Sequence, residues 1–86
     1  MPPSDSPYHL AQRAIADLKA AVLQTLQDGH AEGMANVEVG KSLGIYTGHK
    51  GHEGHIPRTI LAMLEDEDVV EQDDDSKRWS VIDHGR

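Results

Sequence analysis

Apolar residues recur at helical spacing over the first third of the chain. Between residues 8 and 27, apolar side chains follow one another every three or four positions, at Ala11, Ile15, Leu18, Val22 and Leu26. Charged and amide side chains occupy the intervening positions. Because this spacing collects apolar side chains on one face of an α-helix, the pattern predicts an amphipathic helix packed against a core.

Two shorter helices are predicted next. Asn36 offers a side-chain oxygen that can cap a helix running to Leu43, and Gly44 ends that helix. Pro57 suits the first turn of a third helix, since its missing N–H has no helical partner there. The apolar stripe of the third helix consists of Ile56, Ile60, Leu61 and Leu64. Residues 45 to 54, with three glycines, predict a loop between the two helices.

The end of the chain predicts a β-hairpin. Val69 and Val70 precede a polar turn at residues 73 to 76, and Trp79 and Val81 follow it on alternate positions. The order of elements is therefore helix, helix, helix, hairpin. The predicted fold class is mainly α with a small β-hairpin, an α+β fold.

A single folded domain is expected over residues 8 to 83. The chain has 86 residues, which is near the lower limit of ordinary domain size. Residues 1 to 7 contain three of the four prolines, a composition that predicts a disordered tail. Residues 84 to 86 are assigned to a short C-terminal tail.

Composition narrows the range of functions. The chain contains no cysteine, which excludes disulfides, thiolate metal sites and a cysteine nucleophile. No apolar run approaches the length of a membrane span, and the first residues lack the features of a secretion signal, so we expect a cytoplasmic protein without membrane contact. No nucleophile–base pair and no paired carboxylates in an apolar context occur, so we expect neither an enzyme nor a cofactor.

The charge is unevenly distributed along the chain. The formal net charge is −7, and eight of the fifteen acidic residues lie between Glu65 and Asp75. Residues 36 to 58 contain two acidic residues, three basic residues and three histidines. One surface is therefore expected to be neutral to basic and another strongly acidic, and this polarity would orient the molecule against a phosphate backbone.

The order of elements, together with Gly40 and Gly44 four residues apart, resembles the winged helix-turn-helix family. In that family a small residue on the second helix lets the third approach closely, and a glycine follows where the chain turns. Asp68 stands where many members have glycine. The resemblance covers about residues 10 to 82 and implies a DNA-binding protein, either a transcriptional regulator or an accessory factor. The chain departs from the family in the turn between the second and third helices, which is longer by roughly seven residues.

The resemblance implies specific DNA contacts. It puts the start of the third helix in the major groove, with Arg58 as the leading base or phosphate contact because a guanidinium can form two directed hydrogen bonds. Lysines on the second helix and the loop would contact phosphates, and two basic residues of the wing could reach an adjacent groove. The full set of implied DNA contacts is Lys41, Tyr46, His49, Lys50, His52, His55, Arg58, Thr59, Lys77 and Arg78.

The sequence also leaves other interpretations open. The same fold could serve as a protein-interaction module through its acidic surface, without contacting DNA. In either case the chain could bind its partner as a homodimer. The three histidines at residues 49, 52 and 55 could surround a zinc or nickel ion. The glycines between them supply no fixed geometry, and HEGH is one residue short of the HExxH pattern, so no metal site is assigned. The histidine segment could instead contact phosphate, or it could be a solvated loop without a ligand.

Overall fold

The computed structural model describes residues 6–29 and 31–83. This part of the chain contains three α-helices and a two-stranded antiparallel hairpin. The elements, in chain order, are α1 (Pro7–Asp28), α2 (Asn36–Leu43), α3 (His55–Asp66), β1 (Val70–Gln72) and β2 (Trp79–Val81). This architecture confirms the predicted fold class. It is consistent with a winged-helix-like α+β arrangement.

Helix α1 begins earlier than the sequence predicts. Ser6 is its N-cap, and the Ser6 hydroxyl accepts a hydrogen bond from the backbone N–H of His9 at 3.2 Å. Pro7 then occupies the first turn, where proline is well tolerated. The assignment of residues 6 and 7 to a disordered tail is therefore wrong, whereas residues 1 to 5 and 84 to 86 lie outside the described residues. No helix in the described ranges is long and apolar enough to cross a membrane.

The start of α2 differs from the prediction. Asn36 is the first helical residue and not the cap; the N-cap is Ala35, whose N–H donates to the Glu38 side chain at 2.8 Å. A glutamate three residues into a helix satisfies this otherwise unpaired N–H, which is why the helix starts where it does. The Asn36 side-chain amide instead donates to the carbonyl oxygen of Gly54 at 3.2 Å, which joins α2 to the start of α3.

Helices α2 and α3 pack closely at Gly40. A Cβ atom added to Gly40 would lie 2.9 Å from Cγ of Pro57, closer than real Cβ contacts occur, and 3.0 Å from Cβ of Tyr46, which is also unusually close. Gly44 ends α2 with a φ of 72°, a left-handed conformation that favours glycine. Both glycines therefore have the roles that their spacing predicts, close helix packing and helix termination.

The core is formed by one face of each helix and by the hairpin. Its buried members are Val22, Leu26, Val39, Ile60, Leu61, Leu64, Val70 and Trp79. Ile56 does not belong to this group, and the prediction that it does is wrong: its exposed fraction is 40%. Pro57 is fully buried in its place, because positions 57, 60, 61 and 64 share the face of α3 that meets the core.

The hairpin also pairs with the segment that precedes α2. In its register Val70 pairs with Val81 and Gln72 pairs with Trp79. Met34 and Trp79 exchange two backbone hydrogen bonds of 2.9 and 2.7 Å, which adds a strand-like pairing in the segment between α1 and α2. Asp68, at the turn out of α3, has a φ of 63°, so it adopts the left-handed conformation that glycine would favour.

Candidate nucleic-acid interface

Tyr46 connects the end of α2 to the start of α3. Its half-buried ring lies against Gly40 and also against Gly54, where an added Cβ atom would come within 2.7 Å of it. The ammonium of Lys41 lies 5.8 Å from the centre of the ring, within the range of a cation–π interaction. Tyr46 is thus mainly a packing residue, and it holds Lys41 near the start of α3.

The loop between α2 and α3 has defined turns. The Gly54 N–H donates to the carbonyl oxygen of Thr47 at 3.3 Å and closes the base of the loop. The His52 N–H donates to the carbonyl oxygen of His49 at 2.7 Å and forms its tip. The glycines at 48, 51 and 54 have φ values of 135°, 84° and 86°, which side chains larger than hydrogen rarely adopt. The side chains of His49, Lys50 and His52 are exposed on this loop.

The first turns of α3 present exposed polar side chains. His55, Arg58 and Thr59 are all exposed, and Nη1 of Arg58 lies 3.5 Å from Nδ1 of His55. Ala62 is also exposed, and it follows Arg58 by four residues on the same side of the helix. The sequence prediction omits Ala62, although its spacing from Arg58 could have indicated it.

The two acidic residues of this part of the chain, Glu38 and Glu53, accept hydrogen bonds from the backbone. Glu53 accepts a hydrogen bond from the Gly51 N–H at 3.0 Å, inside the loop. Glu38 bonds the start of α2 and forms an ion pair with Arg78 at 3.1 Å. Among residues 6–29 and 31–83, the ion pairs do not include Lys41, Lys50 or Arg58. Lys41, residues 49 to 52 and the first two turns of α3 follow one another around the connection between α2 and α3, and this surface is called the cationic face below.

Arg78 does not extend from the wing as the resemblance implies. Its Nε and Nη2 atoms donate to the carbonyl oxygen of Gly33 at 3.1 and 2.7 Å, and Nη2 also contacts Glu38. The side chain is half-buried and joins the hairpin to the segment before α2. The expected role of Arg78 as a DNA contact is therefore replaced by a structural role. Lys77 is exposed but follows three aspartates.

The turn of the hairpin carries negative charge. The backbone N–H of Ser76, and then the Ser76 hydroxyl, lower the pKa of the Asp73 carboxyl below its ordinary 3.8, with smaller contributions from the Asp75 N–H and Lys77. A lowered pKa means that the carboxylate and its hydrogen bonds persist above about pH 4 and are lost only as the pH falls below that value. At neutral pH the wing turn therefore repels phosphate.

An acidic groove lies beside this turn. It has a volume of about 590 Å³ and lies between the hairpin and the segment before α2. Its lining residues are Glu32, Glu71, Gln72, Asp73, Asp74, Ser76, Arg78 and Ser80. The strongly acidic surface expected from the sequence is thus located at the hairpin, away from the start of α3.

The histidines do not assemble into a metal centre in the described part of the chain. Among those residues, no group of three or more histidine, aspartate or glutamate side chains is arranged to hold a metal ion. His49 and His52 are exposed on the loop, and His55 is the first residue of α3.

The fold and this face define the chain as a small, winged-helix-like α+β protein with a cationic α2–α3 face and an acidic hairpin. No family model, curated protein or solved structure matches the chain. Its function is therefore inferred from its own geometry and charge.

Proposed function

We propose that this chain binds duplex DNA through its cationic face, as a winged helix-turn-helix protein. The observation that carries the proposal is the position of Arg58. It is exposed on the first two turns of α3, and within the described residues it has a histidine and no carboxylate beside it. A guanidinium in this setting can bond two acceptors of a guanine or clamp a phosphate.

The separation of charge supports the proposal. Lys41, Lys50 and Arg58 lie at one end of the α2–α3 unit, and the carboxylates of the C-terminal half of α3 and of the wing lie elsewhere. A duplex approaching the chain would be attracted by the first surface and repelled by the second. The net charge of −7 therefore restricts the orientation of binding without preventing it.

The proposed contacts fall into two kinds. Arg58 and Thr59 would reach base edges, and Ala62 would supply an apolar contact to a thymine methyl group. Lys41 and the loop residues His49, Lys50 and His52 would contact phosphates and fix the orientation of α3. His55 would lie between the two sets.

The proposed DNA contacts are expected to end before the last turn of α3. Glu65 follows Arg58 by seven residues, about 10.5 Å along the helix, and Asp66 comes next. Both carboxylates are exposed and would be repelled by phosphates. The wing is left out of the proposed interface, because Arg78 is engaged within the protein and Lys77 lies just after the three aspartates of the turn.

The wider role is part of the same proposal. A domain of this size with one DNA-binding face would act in the cytoplasm as a transcriptional regulator or as an accessory factor on DNA. We propose no catalytic activity and no cofactor for it.

The proposal is tested by fluorescence anisotropy of labelled duplexes at increasing salt. If two or three cations each neutralise one phosphate, log affinity should fall with log salt with a slope of about −1.8 to −2.7. That slope corresponds to a roughly 10- to 40-fold loss between about 50 and about 200 mM salt. Absence of binding at low salt, or binding that salt does not weaken, would contradict the proposal.

The acidic groove favours a second candidate, a protein-interaction module. Four carboxylates line it, from Glu32, Glu71, Asp73 and Asp74, and a basic polypeptide segment would complement them. Anisotropy of a labelled oligolysine peptide distinguishes the two candidates. Peptide binding without DNA binding would replace the first candidate by the second.

A further inference from the structure

An apolar groove runs between α1 and α3 on the flank of the proposed interface. It has a volume of about 270 Å³, with Ile15 on one side and the α3 side chains on the other. The complete lining is Ile15, His55, Ile56, Thr59, Ile60 and Met63. The centre of the groove is therefore apolar, and its rim carries an imidazole and a hydroxyl.

An exposed aromatic ring lies on the same face of α1, beyond the core. Tyr8 is 68% exposed, and it precedes Ile15 by seven residues, or two helical turns. Seven residues correspond to about 10.5 Å along the helix axis. Between them the stripe contains Ala11, whose small side chain lets another helix approach closely.

We propose that this face is a homodimer interface, in which Tyr8 of each copy occupies the α1–α3 groove of the other. An antiparallel pair of α1 helices related by a two-fold axis beside Ala11 and Gln12 puts residue 8 of one copy opposite residue 15 of the other. The inference goes beyond the proposed DNA binding and does not depend on it.

The groove suits a tyrosine side chain. Its 270 Å³ exceeds the about 150 Å³ that accepts a benzene ring in a protein cavity. The apolar centre would contact the ring, and the rim side chains of His55 and Thr59 would be hydrogen-bond partners for the hydroxyl. Ile56, which the fold leaves 40% exposed, would become covered.

A second copy fits because the face is complementary to itself. One chain carries both the projecting ring and the groove, so a two-fold axis makes each contact twice. The charges on the exposed half of α1 are also balanced, with Arg13 and Asp17 one turn apart, whereas the carboxylates of the acidic groove lie at the hairpin. Like-charge repulsion between two copies is therefore small at this face.

The size of the face indicates a weak dimer. It involves half of α1 and one flank of α3 in each copy, and interfaces that bury less than about 1,200 Å² in total are typical of weak, transient complexes. Arg58 does not line the groove, although its guanidinium lies 3.5 Å from the ring of His55, which does. The dimer therefore leaves Arg58 available to DNA, whereas it would occupy the side chains of His55 and Thr59.

Sedimentation equilibrium tests the dimer on the full chain, from about 1 µM to about 1 mM protein. The weight-average mass of the wild type should rise from that of the monomer towards twice that value. Tyr8→Ser and Ile56→Ser should each weaken the association at least tenfold, because each exchanges an apolar contact for a hydroxyl. Leu10→Ser is the matched control, since Leu10 is 49% exposed on the opposite face of α1, and it should leave the association unchanged.

Two results of the sedimentation experiment would overturn the proposed dimer. A wild type that stays monomeric over the whole range overturns the proposal, as does a Leu10→Ser variant weakened as much as Tyr8→Ser. A mixed sample of labelled and unlabelled protein adds a geometric test by NMR. Nuclear Overhauser effects between the Tyr8 ring of one copy and the Ile56 or Met63 side chain of the other support the pairing, and a dimer without them contradicts it.

Discussion

Replacing Arg58 with alanine is expected to weaken binding to duplex DNA by about tenfold to a hundredfold. Loss of a bidentate contact to a base costs about 1–3 kcal/mol, and loss of a single phosphate contact costs less and flattens the salt dependence. The folded state should be unaffected, because the Arg58 side chain is exposed and lies beside the side chain of His55, which is exposed as well. Fluorescence anisotropy measures the affinity, and circular dichroism checks the fold.

The matched control for this variant is Arg13→Ala. Arg13 is also an exposed arginine on a helix, but it lies on α1 and outside the cationic face. Its removal changes the net charge by the same amount, so it should weaken binding less than threefold on general electrostatic grounds. Equal losses for the two variants would mean that net charge, and not the α3 face, determines binding.

Replacing Gly40 with alanine is expected to lower the free energy of unfolding by about 1–3 kcal/mol, the usual cost of overpacking a core. The new methyl group would lie 2.9 Å from Cγ of Pro57 and 3.0 Å from Cβ of Tyr46. Because Pro57 is fully buried and its ring is rigid, the two helices would have to move apart. Urea unfolding followed by circular dichroism measures the change.

Ser42→Ala is the control for Gly40→Ala. Ser42 is exposed on the same helix, so alanine there adds helix propensity without a clash and should keep or slightly raise the stability. In an uncrowded helix the change from glycine to alanine would stabilise by about 0.5–1 kcal/mol. A Gly40→Ala variant as stable as the wild type would therefore contradict the close packing of α2 on α3.

Local patterns in the sequence are enough to predict the main elements. The stripe through Val22 and Leu26 predicts α1, and the spacing of Gly40 and Gly44 predicts a short helix closely packed on the next one. Trp79 is buried, as expected for the aromatic residue of a small hairpin. These features follow from helical periodicity and from the conformational freedom of glycine, which are properties of neighbouring residues.

Contacts between distant segments explain where the prediction fails. Asn36 bonds Gly54 across the α2–α3 loop, and nothing near Asn36 in the sequence indicates that partner. Arg78 bonds the carbonyl oxygen of Gly33, 45 residues earlier, and so is removed from the proposed interface. Ile56 satisfies the apolar pattern of α3 but lies on the flank beside Ile15, where it lines a groove instead of the core.

The candidate site was more predictable at α3 than at the wing. Exposure of His55, Arg58 and Thr59 follows from their positions opposite the apolar stripe of α3. Whether the wing belongs to the interface depends on which of its basic side chains form tertiary contacts. The ion pair of Arg78 with Glu38 is one such contact. Basic residues in the sequence therefore indicate a possible interface, and only their partners in the fold decide whether they belong to it.

The central claim is that DNA is bound by the α2–α3 face and not by the hairpin. Titration of a short duplex into ¹⁵N-labelled protein, followed by amide chemical shifts, tests this claim most directly. We expect the largest shifts at Lys41 and at residues 49 to 62, with residues 71 to 78 unchanged. Shifts concentrated in the hairpin, with none in α3, would contradict the account.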